Sequence, residues 1–391
     1  MSNINQVLHS ALKSSLQDST FSPIITSIAQ YLHSKNIPVD RIQIPMNMYF
    51  GFLHPLYKAF IVTWQEDNIE EITIPHDGVD AVAHFQRAIS NTPYAVITLQ
   101  GHSEYQVTLN PTENPYPILD NLYTQGYREY YCMGLPLPHQ DRRQIISLAT
   151  KSAFPENFSD IMQDIKYAIS LTLYGFYQSS VSRSIAHTYL GIQTGDKVLQ
   201  GQIFRGSKQE IDAGILFCDI RGFTSLSESL GADKVVSVVN EIFQCISDVV
   251  EQYNGEILKF IGDAMLIIVP QDDFSHRQLG QILIEIAQKS VSDVSNLSQK
   301  MNLPLAVGFG AHIGEVHYGN IGSQNRLDFT VMGPAVNLTS RLESMCKDLK
   351  ASLNVSEHVA QGNEDMLKYF GEHFVKGVSE PVKMWGLPVE N

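Results

Sequence analysis

One stretch of the chain, residues 214–228, does most to constrain what the chain can fold into. It reads Gly-Ile-Leu-Phe-Cys-Asp-Ile-Arg-Gly-Phe-Thr-Ser-Leu-Ser-Glu, an apolar run that ends on the acid Asp219 and then turns through a glycine. Such a run is typical of a strand buried on both faces, and we expect Thr224 to cap the helix that follows. Free N–H groups at a helix start favour phosphate, and a carboxylate beside them can hold the metal ion of that phosphate. The alternative is a buried strand whose acid only caps the turn.

A second aspartate occupies a comparable place in residues 256–269. Apolar strand patterns lie on both sides of Gly262-Asp263, so we expect a hairpin with the acid at its tip. A lone aspartate in a hairpin usually belongs to the turn itself. Two aspartates that each end an apolar strand beside a glycine instead favour a shared metal site for the phosphates of a nucleotide, if the two strands are neighbours.

The composition limits the class of protein. With 391 residues, 43% of them hydrophobic and 17% charged, the chain is long enough for two or three globular domains. The net charge of -14 argues against a nucleic-acid partner. The four cysteines are scattered without a CxxC pair, which argues against structural zinc and favours a reducing compartment. No signal-peptide pattern opens the chain and no apolar run reaches the ~18 residues of a membrane span, so we expect a cytoplasmic protein.

Residues 1–186 predict a mixed α/β domain that carries no catalytic constellation. Helical patterns are expected near residues 1–30 and 160–185, an apolar run at 94–99, strand patterns at 42–48, 57–64, 127–137 and 143–150, and a polar loop at 65–80. The histidines of this half lack the spacing of metal ligands, and surface or core roles are expected for them: His9, His33, His54, His76, His84 and His102. By architecture the domain resembles a small-molecule sensor of the GAF or PAS kind, an analogy that leaves open whether it binds a ligand, a protein or nothing.

Residues 187–204 form a predicted connector between the two halves. Three glycines interrupt the long helix there, yet apolar residues persist at Tyr189, Leu190, Val198 and Leu199. A flexible tether and a packed connector that passes movement between the halves both fit this pattern. The short length and the apolar content favour the packed connector.

The second half, residues 205–391, predicts a βαββαβ order. Besides the two strand patterns above, helical periodicity covers 228–253 and 279–297, and a glycine-rich hairpin is expected at 305–322. This order is that of a ferredoxin-like α+β core. Asn337 and Arg341 are four residues apart, so on a helix they would project from one face, either as a polar stripe or as part of a site.

Four ordered motifs in this half carry a resemblance to a known family. They are Asp-Ile-Arg-Gly-Phe-Thr at 219–224, Leu-Lys-Phe-Ile-Gly-Asp at 258–263, Thr-Val-Met-Gly-Pro-Ala-Val-Asn-Leu-Thr-Ser-Arg at 330–341 and Phe-Val-Lys-Gly at 374–377. Together they resemble the class III adenylyl/guanylyl cyclase catalytic domain over about residues 205–388. The first half and the connector resemble the front of a bacterial subgroup of these cyclases. The resemblance implies conversion of ATP to cyclic AMP and pyrophosphate, regulated by the N-terminal domain.

The resemblance also implies roles at the phosphate end of a site. Asp219 and Asp263 would bind two Mg²⁺ or Mn²⁺ ions, with the Ile220 carbonyl as a further ligand. Lys376 would hold the terminal phosphates. The backbone that would cradle phosphate belongs to Arg221, Gly222, Phe223 and Thr224.

At the base and ribose end, Lys259 and Thr330 match the purine-selecting pair of the family. Lysine with threonine is an adenine-type combination in bacterial members, whereas guanylyl members usually carry glutamate and cysteine. The register of the motif selects Thr330 rather than Asp328 for the second position. Asn337 would orient the ribose, and Arg341 would stabilise the charge that develops on the α-phosphate.

The resemblance further implies a homodimer. In this family the metal-binding set and the base-binding set of one site come from opposite subunits, and this chain has one copy of each set without an internal repeat. Two equivalent sites at the interface are therefore expected. The reaction would be attack of the ribose 3′-hydroxyl on the α-phosphorus, an in-line displacement that suits two metal ions.

Three alternatives stay open at this point. The domain could be a guanylate cyclase, a pyrimidine-nucleotide cyclase, or a non-catalytic nucleotide sensor whose binding signals to a partner. Lys259 can donate to adenine N1 and Thr330 can accept from the 6-amino group. Guanine reverses that donor and acceptor pattern, which argues against the guanylate cyclase.

Overall fold

The computed structural model describes residues 3–18, 20–46, 59–65, 68–74, 89–137, 143–202, 204, 206, 208–271 and 274–389. The chain divides into two compact units, residues 1–185 and 186–391. No helix in the described part of either unit has both the length and the apolar character that a membrane crossing requires. The predictions for His54, His76 and His84 lie outside the described residues.

The first unit is built on one antiparallel sheet with the strand order β3-β2-β1-β6-β5-β4. Its strands are β1 (Arg41–Met46), β2 (Ala59–Gln65), β3 (Asn68–Ile74), β4 (Glu104–Thr108), β5 (Glu129–Pro136) and β6 (Arg143–Thr150). Its helices are α1 (Ile4–Asp18), α2 (Ser22–Ser34), α3 (Tyr94–Thr98), α4 (Pro117–Thr124) and α5 (Phe158–Leu190), whose last turn falls in the second unit. One face packs on α1, α2 and α5, and the other on α3 and α4. The prediction of a mixed α/β domain is confirmed.

Two predictions for this unit were wrong. The single helix expected over residues 1–30 is two helices, because Pro23 lies in the first turn of α2 and a proline there starts a helix rather than continuing one. The polar loop expected over 65–80 contains β3. That strand lies at the edge of the sheet, where an acidic strand is tolerated because one side faces solvent.

The second unit contains the ferredoxin-like core that the sequence predicts. Its strands are β7 (Lys208–Ile220), β8 (Glu256–Ile261), β9 (Ala264–Pro270), β10 (Val307–Gly322), β11 (Leu327–Met332), β12 (Ala351–Ser356), β13 (Lys368–His373) and β14 (Val382–Pro388). Its helices are α6 (Ile192–Leu199), α7 (Phe223–Leu230), α8 (Ala232–Gln252), α9 (His276–Met301), α10 (Pro334–Ser344), α11 (Cys346–Leu349) and α12 (Glu357–Ala360). The sheet order is β13-β14-β12-β10-β7-β9-β8, with β11 also paired to β10. The four strands β10-β7-β9-β8 are antiparallel and have the βαββαβ topology.

Strand β7 lies in the middle of this sheet. Ile215 and Leu216 point to opposite faces and are both fully buried, which confirms the prediction of a strand buried on both faces. Leu216 packs in the core under α8 and α9, and Ile215 packs in the core on the side of α10. The end of β7, where the first predicted acid lies, is therefore held from both faces.

Two details of the second unit differ from the sequence predictions. Residues 305–322 form no hairpin but the 16-residue strand β10. A Cβ at Gly310 would overlap the backbone nitrogen of Glu343, so glycine there serves close approach of α10 and not a turn. Thr224 is not a cap, because it lies inside α7, whose N-cap is Gly222 without any side-chain capping bond.

A buried polar network fixes the helix α6 within the second unit. The backbone N–H of Thr194 and the hydroxyl of Tyr318 both donate to the Glu256 carboxylate, at 2.9 and 2.8 Å. The Thr194 hydroxyl lies 2.9 Å from the Tyr318 oxygen. Burial and the Glu256 charge raise the pKa of Tyr318 far above its usual value, so its hydroxyl remains a donor. The start of α6 is therefore packed on the strands β8 and β10.

We expect Glu256→Ala to destabilise the second unit, because the Thr194 N–H and the Tyr318 hydroxyl lose their acceptor. Each unpaired buried donor costs about 1–3 kcal/mol, so calorimetry of the full chain should show one transition lowered by roughly 4 °C or more. Glu357→Ala is the matched control, since its exposed ion pair with Lys383 contributes little. A shift no larger than that of the control would contradict this account of the network.

Candidate active site

Asp219 and Asp263 meet at one end of the second sheet. In the β7–β9 ladder, Asp219 is directly opposite Ala264. Asp263 precedes Ala264 at the tip of the β8–β9 hairpin, and its backbone carbonyl accepts from the N–H of Ile220 at 3.3 Å. Pairing of two strands that are distant in the sequence thus brings the two acids together.

The two carboxylates act on each other electrostatically. Burial and the negative charge of Asp263 raise the pKa of the Asp219 carboxyl, and Arg221 opposes the rise. Close like charges disfavour ionisation unless a cation offsets them. Carboxylate and carbonyl oxygens are ligands that hard divalent cations prefer, so the two aspartates and the Ile220 carbonyl fit Mg²⁺ or Mn²⁺. Across the described ranges no cluster of three or more His, Cys, Asp or Glu side chains could hold a metal, so phosphate or water would have to complete the ligand set.

The turn after Asp219 exposes a helix start beside the acids. Gly222 has a φ of 67°, a left-handed conformation that glycine adopts readily, and α7 begins at the next residue. Gly222 and Thr224 are exposed, whereas Phe223 packs against the core. Since no side chain caps α7, its first N–H groups are available to an anion.

The Arg221 side chain pairs with Glu343 of α10, a residue that sequence reasoning missed. Arg221 Nη2 lies 3.0 Å from Glu343 Oε1, without the alignment of a hydrogen bond, so the attraction is chiefly electrostatic. Burial raises the pKa of Glu343 to about 7; Arg221 works against this rise, and Asp219 and Asp263 add to it. The sequence did contain a signal for Glu343: it lies two residues after Arg341, in a helix that packs on the sheet.

Lys259 of β8 pairs with Asp328 of β11 rather than with either acid of the β7–β9 end. Lys259 Nζ lies 2.5 Å from Asp328 Oδ2. Asp328 and Thr330 are two residues apart on a strand and so share one face. Thr330 is 6% exposed, and its hydroxyl has no hydrogen-bond partner among the residues that the structure describes. The sequence selected Thr330 and set Asp328 aside, yet Asp328 is the residue that contacts Lys259.

Asn337, Arg341 and Lys376 are exposed. Asn337 and Arg341 lie on α10, whose Thr339 and Leu342 are buried, and Lys376 lies between β13 and β14. In the described part of the chain, the side chains of these three residues have no hydrogen-bond or ion-pair partner. They are therefore free to meet a ligand or a second subunit.

The predicted site residues fall into three places in one chain. Asp219, Asp263 and the 220–224 turn form a place suited to a metal ion and phosphate. Lys259 and the strand of Thr330 form a place with a donor and a hydroxyl suited to a planar base. The exposed side chains of α10 and the β13–β14 segment form the third. No hydrogen bond or ion pair between described residues joins the first place to the second.

Comparison with known proteins finds sequences similar to the second unit. Residues 206–388 match the family described as the adenylate and guanylate cyclase catalytic domain. Curated relatives include an adenylate cyclase of Anabaena cylindrica, 34% identical over 149 residues (38% of this chain and 30% of the relative), and adenylate cyclase 1 of Rhizobium meliloti, 32% identical over 165 residues (41% and 24%). The chain thus spans less than a third of the length of these two relatives.

Solved structures also resemble parts of the chain. They include the adenylyl cyclase CyaB of P. aeruginosa, 27% identical, covering 47% of this chain and 97% of that chain with a TM-score of 0.43. A bacterial light-regulated adenylyl cyclase is 23% identical and covers 70% of this chain and 80% of its own, with a TM-score of 0.48. Since both TM-scores are below 0.5, the assignment rests on the sequence match and the ordered motifs. Residues 206–388 of this chain are therefore similar to the adenylate and guanylate cyclase catalytic domain.

Proposed function

We propose that the protein is an adenylate cyclase that converts ATP to 3′,5′-cyclic AMP and pyrophosphate. The observation that carries the proposal is the meeting of Asp219 and Asp263 beside the exposed start of α7, in a domain whose curated relatives include adenylate cyclases. In this reaction the ribose 3′-oxygen bonds to the α-phosphorus, the bond from that phosphorus to the bridging oxygen breaks, and the hydroxyl proton passes to solvent. Pyrophosphate leaves.

Divalent cations fit the acid pair, two per site in this proposal. The carboxylates of Asp219 and Asp263 and the carbonyl of Ile220 would hold Mg²⁺ or Mn²⁺. When bound, the ions would lower the pKa of the 3′-hydroxyl and offset the phosphate charge. The backbone N–H groups of residues 222–224 would orient the phosphates at the start of α7, whereas the Arg221 N–H is already bonded to the carbonyl of Ala306.

The exposed polar side chains would act on the reacting groups. Arg341 offers a fixed positive charge where negative charge grows on the α-phosphate, and preorganised charge of this kind is often the largest contribution to phosphoryl-transfer catalysis. Asn337 would orient the ribose, and Lys376 would hold the terminal phosphates. Because none of the three has a partner in the described chain, no internal bond must break before they bind a nucleotide.

Lys259, Thr330 and Asp328 support adenine as the base. Lys259 can donate to adenine N1, and the unpaired Thr330 hydroxyl can accept from the 6-amino group. Guanine carries an N–H at N1, so it would present a donor to the Lys259 ammonium, which can only donate. The Asp328 carboxylate limits the positions that the Lys259 ammonium can take.

Incubation of the full chain with each of the four ribonucleoside triphosphates and Mn²⁺ tests the activity and the choice of base. We expect cyclic AMP and pyrophosphate from ATP as the dominant products, because the N1 acceptor and the 6-amino donor of adenine match Lys259 and Thr330. Dominant cyclic GMP, CMP or UMP would contradict the adenine assignment. Binding of ATP without pyrophosphate release at any Mn²⁺ concentration would contradict the cyclase and favour a nucleotide sensor.

The variant Asp328→Asn extends this test to the position of Lys259. An ion pair at a partly exposed site is worth up to about 1 kcal/mol, so we expect the KM for ATP to rise roughly two- to fivefold with little change in kcat. Asp348→Asn removes an exposed acid of α11 and is the matched control. Equal KM values for the two variants would remove Asp328 from the base site.

We propose further that the active form is a homodimer in which each site takes its acids from one subunit and its base-binding residues from the other. The pairing of Lys259 with Asp328 rather than with Asp219 or Asp263 supports this, as does the exposure of Asn337 and Arg341. One chain supplies one copy of each set, so twofold symmetry would give two equivalent sites.

Mixtures of inactive variants test shared sites. Asp263→Ala and Arg341→Ala should each lose activity by about 100-fold or more, since each removes a charge used in the reaction. Random assembly of an equal mixture gives about half heterodimers with one intact site of two, so about a quarter of wild-type activity should return on co-expression. Cyclic AMP formation is the measurement.

A mixture of Asp219→Ala and Asp263→Ala is the control for this experiment. Both changes fall in the metal-binding set, so every heterodimer site carries one of them and no activity should return. Failure of the Asp263→Ala and Arg341→Ala mixture, with heterodimers verified by two affinity tags, would contradict sharing of sites between subunits.

We also propose that the first unit regulates the second. The support is that α5 is one helix from Phe158 to Leu190, and that the next helix is bonded through Thr194 to Glu256. Glu256 begins β8, the strand that carries Lys259.

A chain that begins at residue 186 tests regulation. Coupling between sites is typically worth 1 kcal/mol or more, so we expect its specific activity to differ from that of the full chain by about fivefold or more. Calorimetry should show the transition of the second unit unchanged by the truncation. With that transition intact, equal specific activities would contradict regulation by the first unit.

A further inference from the structure

The Arg221 side chain folds back over β10 onto the face that carries the Asp219 carboxylate. Its backbone N–H donates to the carbonyl of Ala306 at 2.8 Å, and a Cβ at Gly308 would overlap its guanidinium group. Gly308 is directly opposite Asp219 in the β7–β10 ladder. Directly opposite residues of antiparallel strands point to one face, with Cβ atoms about 4.5–5.5 Å apart. The guanidinium therefore occupies the position beside the Asp219 side chain that a larger residue than glycine would fill.

Glu343 holds the guanidinium in that position. Its Oε1 lies 3.0 Å from Arg221 Nη2, and it reaches the sheet from α10 because Gly310 leaves room for the helix backbone. Only 27% of the Arg221 side chain and 13% of the Glu343 side chain are exposed. The pair is thus enclosed between β10 and α10, where solvent screens its charges less than at the surface.

Without Glu343, the Arg221 charge would still lie within electrostatic reach of Asp219 in the proposed metal site. The Arg221 charge already acts on Asp219, where it opposes the effect of Asp263. Arginine–carboxylate pairs are among the strong charge-assisted contacts in proteins. A guanidinium bound to Asp219 would occupy its oxygens and cancel the negative charge that attracts a divalent cation.

We infer that Glu343 is a positioning residue that keeps the Arg221 guanidinium off Asp219 and thereby leaves the Asp219–Asp263 pair open to a divalent cation. This inference rests on the proposed function in one respect, namely that the two aspartates bind metal. It assigns the Arg221 side chain and Glu343 a role distinct from that of the 222–224 backbone. Neither side chain needs to touch the nucleotide.

Binding of Mn²⁺ alone to the full chain tests the inference without reference to activity. The electron paramagnetic resonance signal of free Mn²⁺ measures the bound fraction, and Asp263→Asn gives the background from other acids of the chain. We expect Glu343→Gln to weaken the Asp263-dependent binding roughly tenfold, because a neutral amide releases the guanidinium to Asp219. The double variant Arg221→Gln/Glu343→Gln lacks the competitor and should bind within about threefold of wild type.

Two further measurements keep the outcomes separate. Arg221→Gln alone should bind Mn²⁺ at least as tightly as wild type, and this result does not depend on the folding of a Glu343 variant. Melting temperatures of all variants identify any that fail to fold. Wild-type binding that is insensitive to Asp263→Asn would show that the proposed metal site is wrong.

Given Asp263-dependent binding in the wild type, three results would overturn the inference alone. These are Glu343→Gln binding equal to wild type, a double variant that stays as weak as Glu343→Gln, and weaker binding by Arg221→Gln. The second result would indicate that Glu343 acts only through packing of α10. The single variant Arg221→Gln shows whether the guanidinium competes with Mn²⁺ for Asp219 or assists the binding of Mn²⁺.

Discussion

The antiparallel pairing of β7 with β9 and β10 is the constraint on which the site depends. Its register puts Asp219 opposite Ala264 on one side and Gly308 on the other. A slip of one residue would turn the Asp219 side chain toward α8 and α9 instead of α10. Burial of Ile215 and Leu216 resists such a slip, since each buried side chain of this size stabilises the fold by about 1.5–3 kcal/mol. Apolar packing thus determines where the charged groups lie.

Two glycines of β10 make space for charged side chains and do not serve chain flexibility. Gly308 leaves space for the Arg221 guanidinium, and Gly310 lets α10 bring Glu343 to it. Enclosed ion pairs lose much of their attraction to the cost of desolvation, and apolar replacements are often as stable or more so. Stability alone is therefore a poor reason for a glycine pair and two charged residues here. The neighbouring Asp219 offers a better reason. The pairing of Arg221 with Glu343 determines whether the guanidinium or a divalent cation lies against the Asp219 carboxylate.

Much of the second unit could be predicted because its signals are local. The apolar run before Asp219, the hairpin around Asp263 and the helical repeat of α9 each lie within one stretch of sequence, and each is seen in the structure. The β10 hairpin was wrong because a glycine that permits close packing and one that permits a turn look alike in sequence. The ion pair of Lys259 with Asp328 could not be predicted because the two residues are 69 apart, and only the fold shows that β8 and β11 lie close enough to pair. Glu343 was missed for the same reason.

Helix α6 and the two strands of the proposed base site, β8 and β11, share one buried network. Tyr318 donates a hydrogen bond to Glu256 and packs edge-on against the ring of Phe329, with 4.8 Å between the ring centroids. Phe329 lies between Asp328 and Thr330 on β11. Glu256 in turn begins the strand of Lys259. A displacement of α6 would therefore reach the lysine, the aspartate and the threonine of the proposed base site before it reached the acids at the end of β7. In a homodimer with shared sites, such a displacement would alter how well one subunit presents the base to the metal-binding acids of its partner, so regulation would act on nucleotide placement rather than on metal binding.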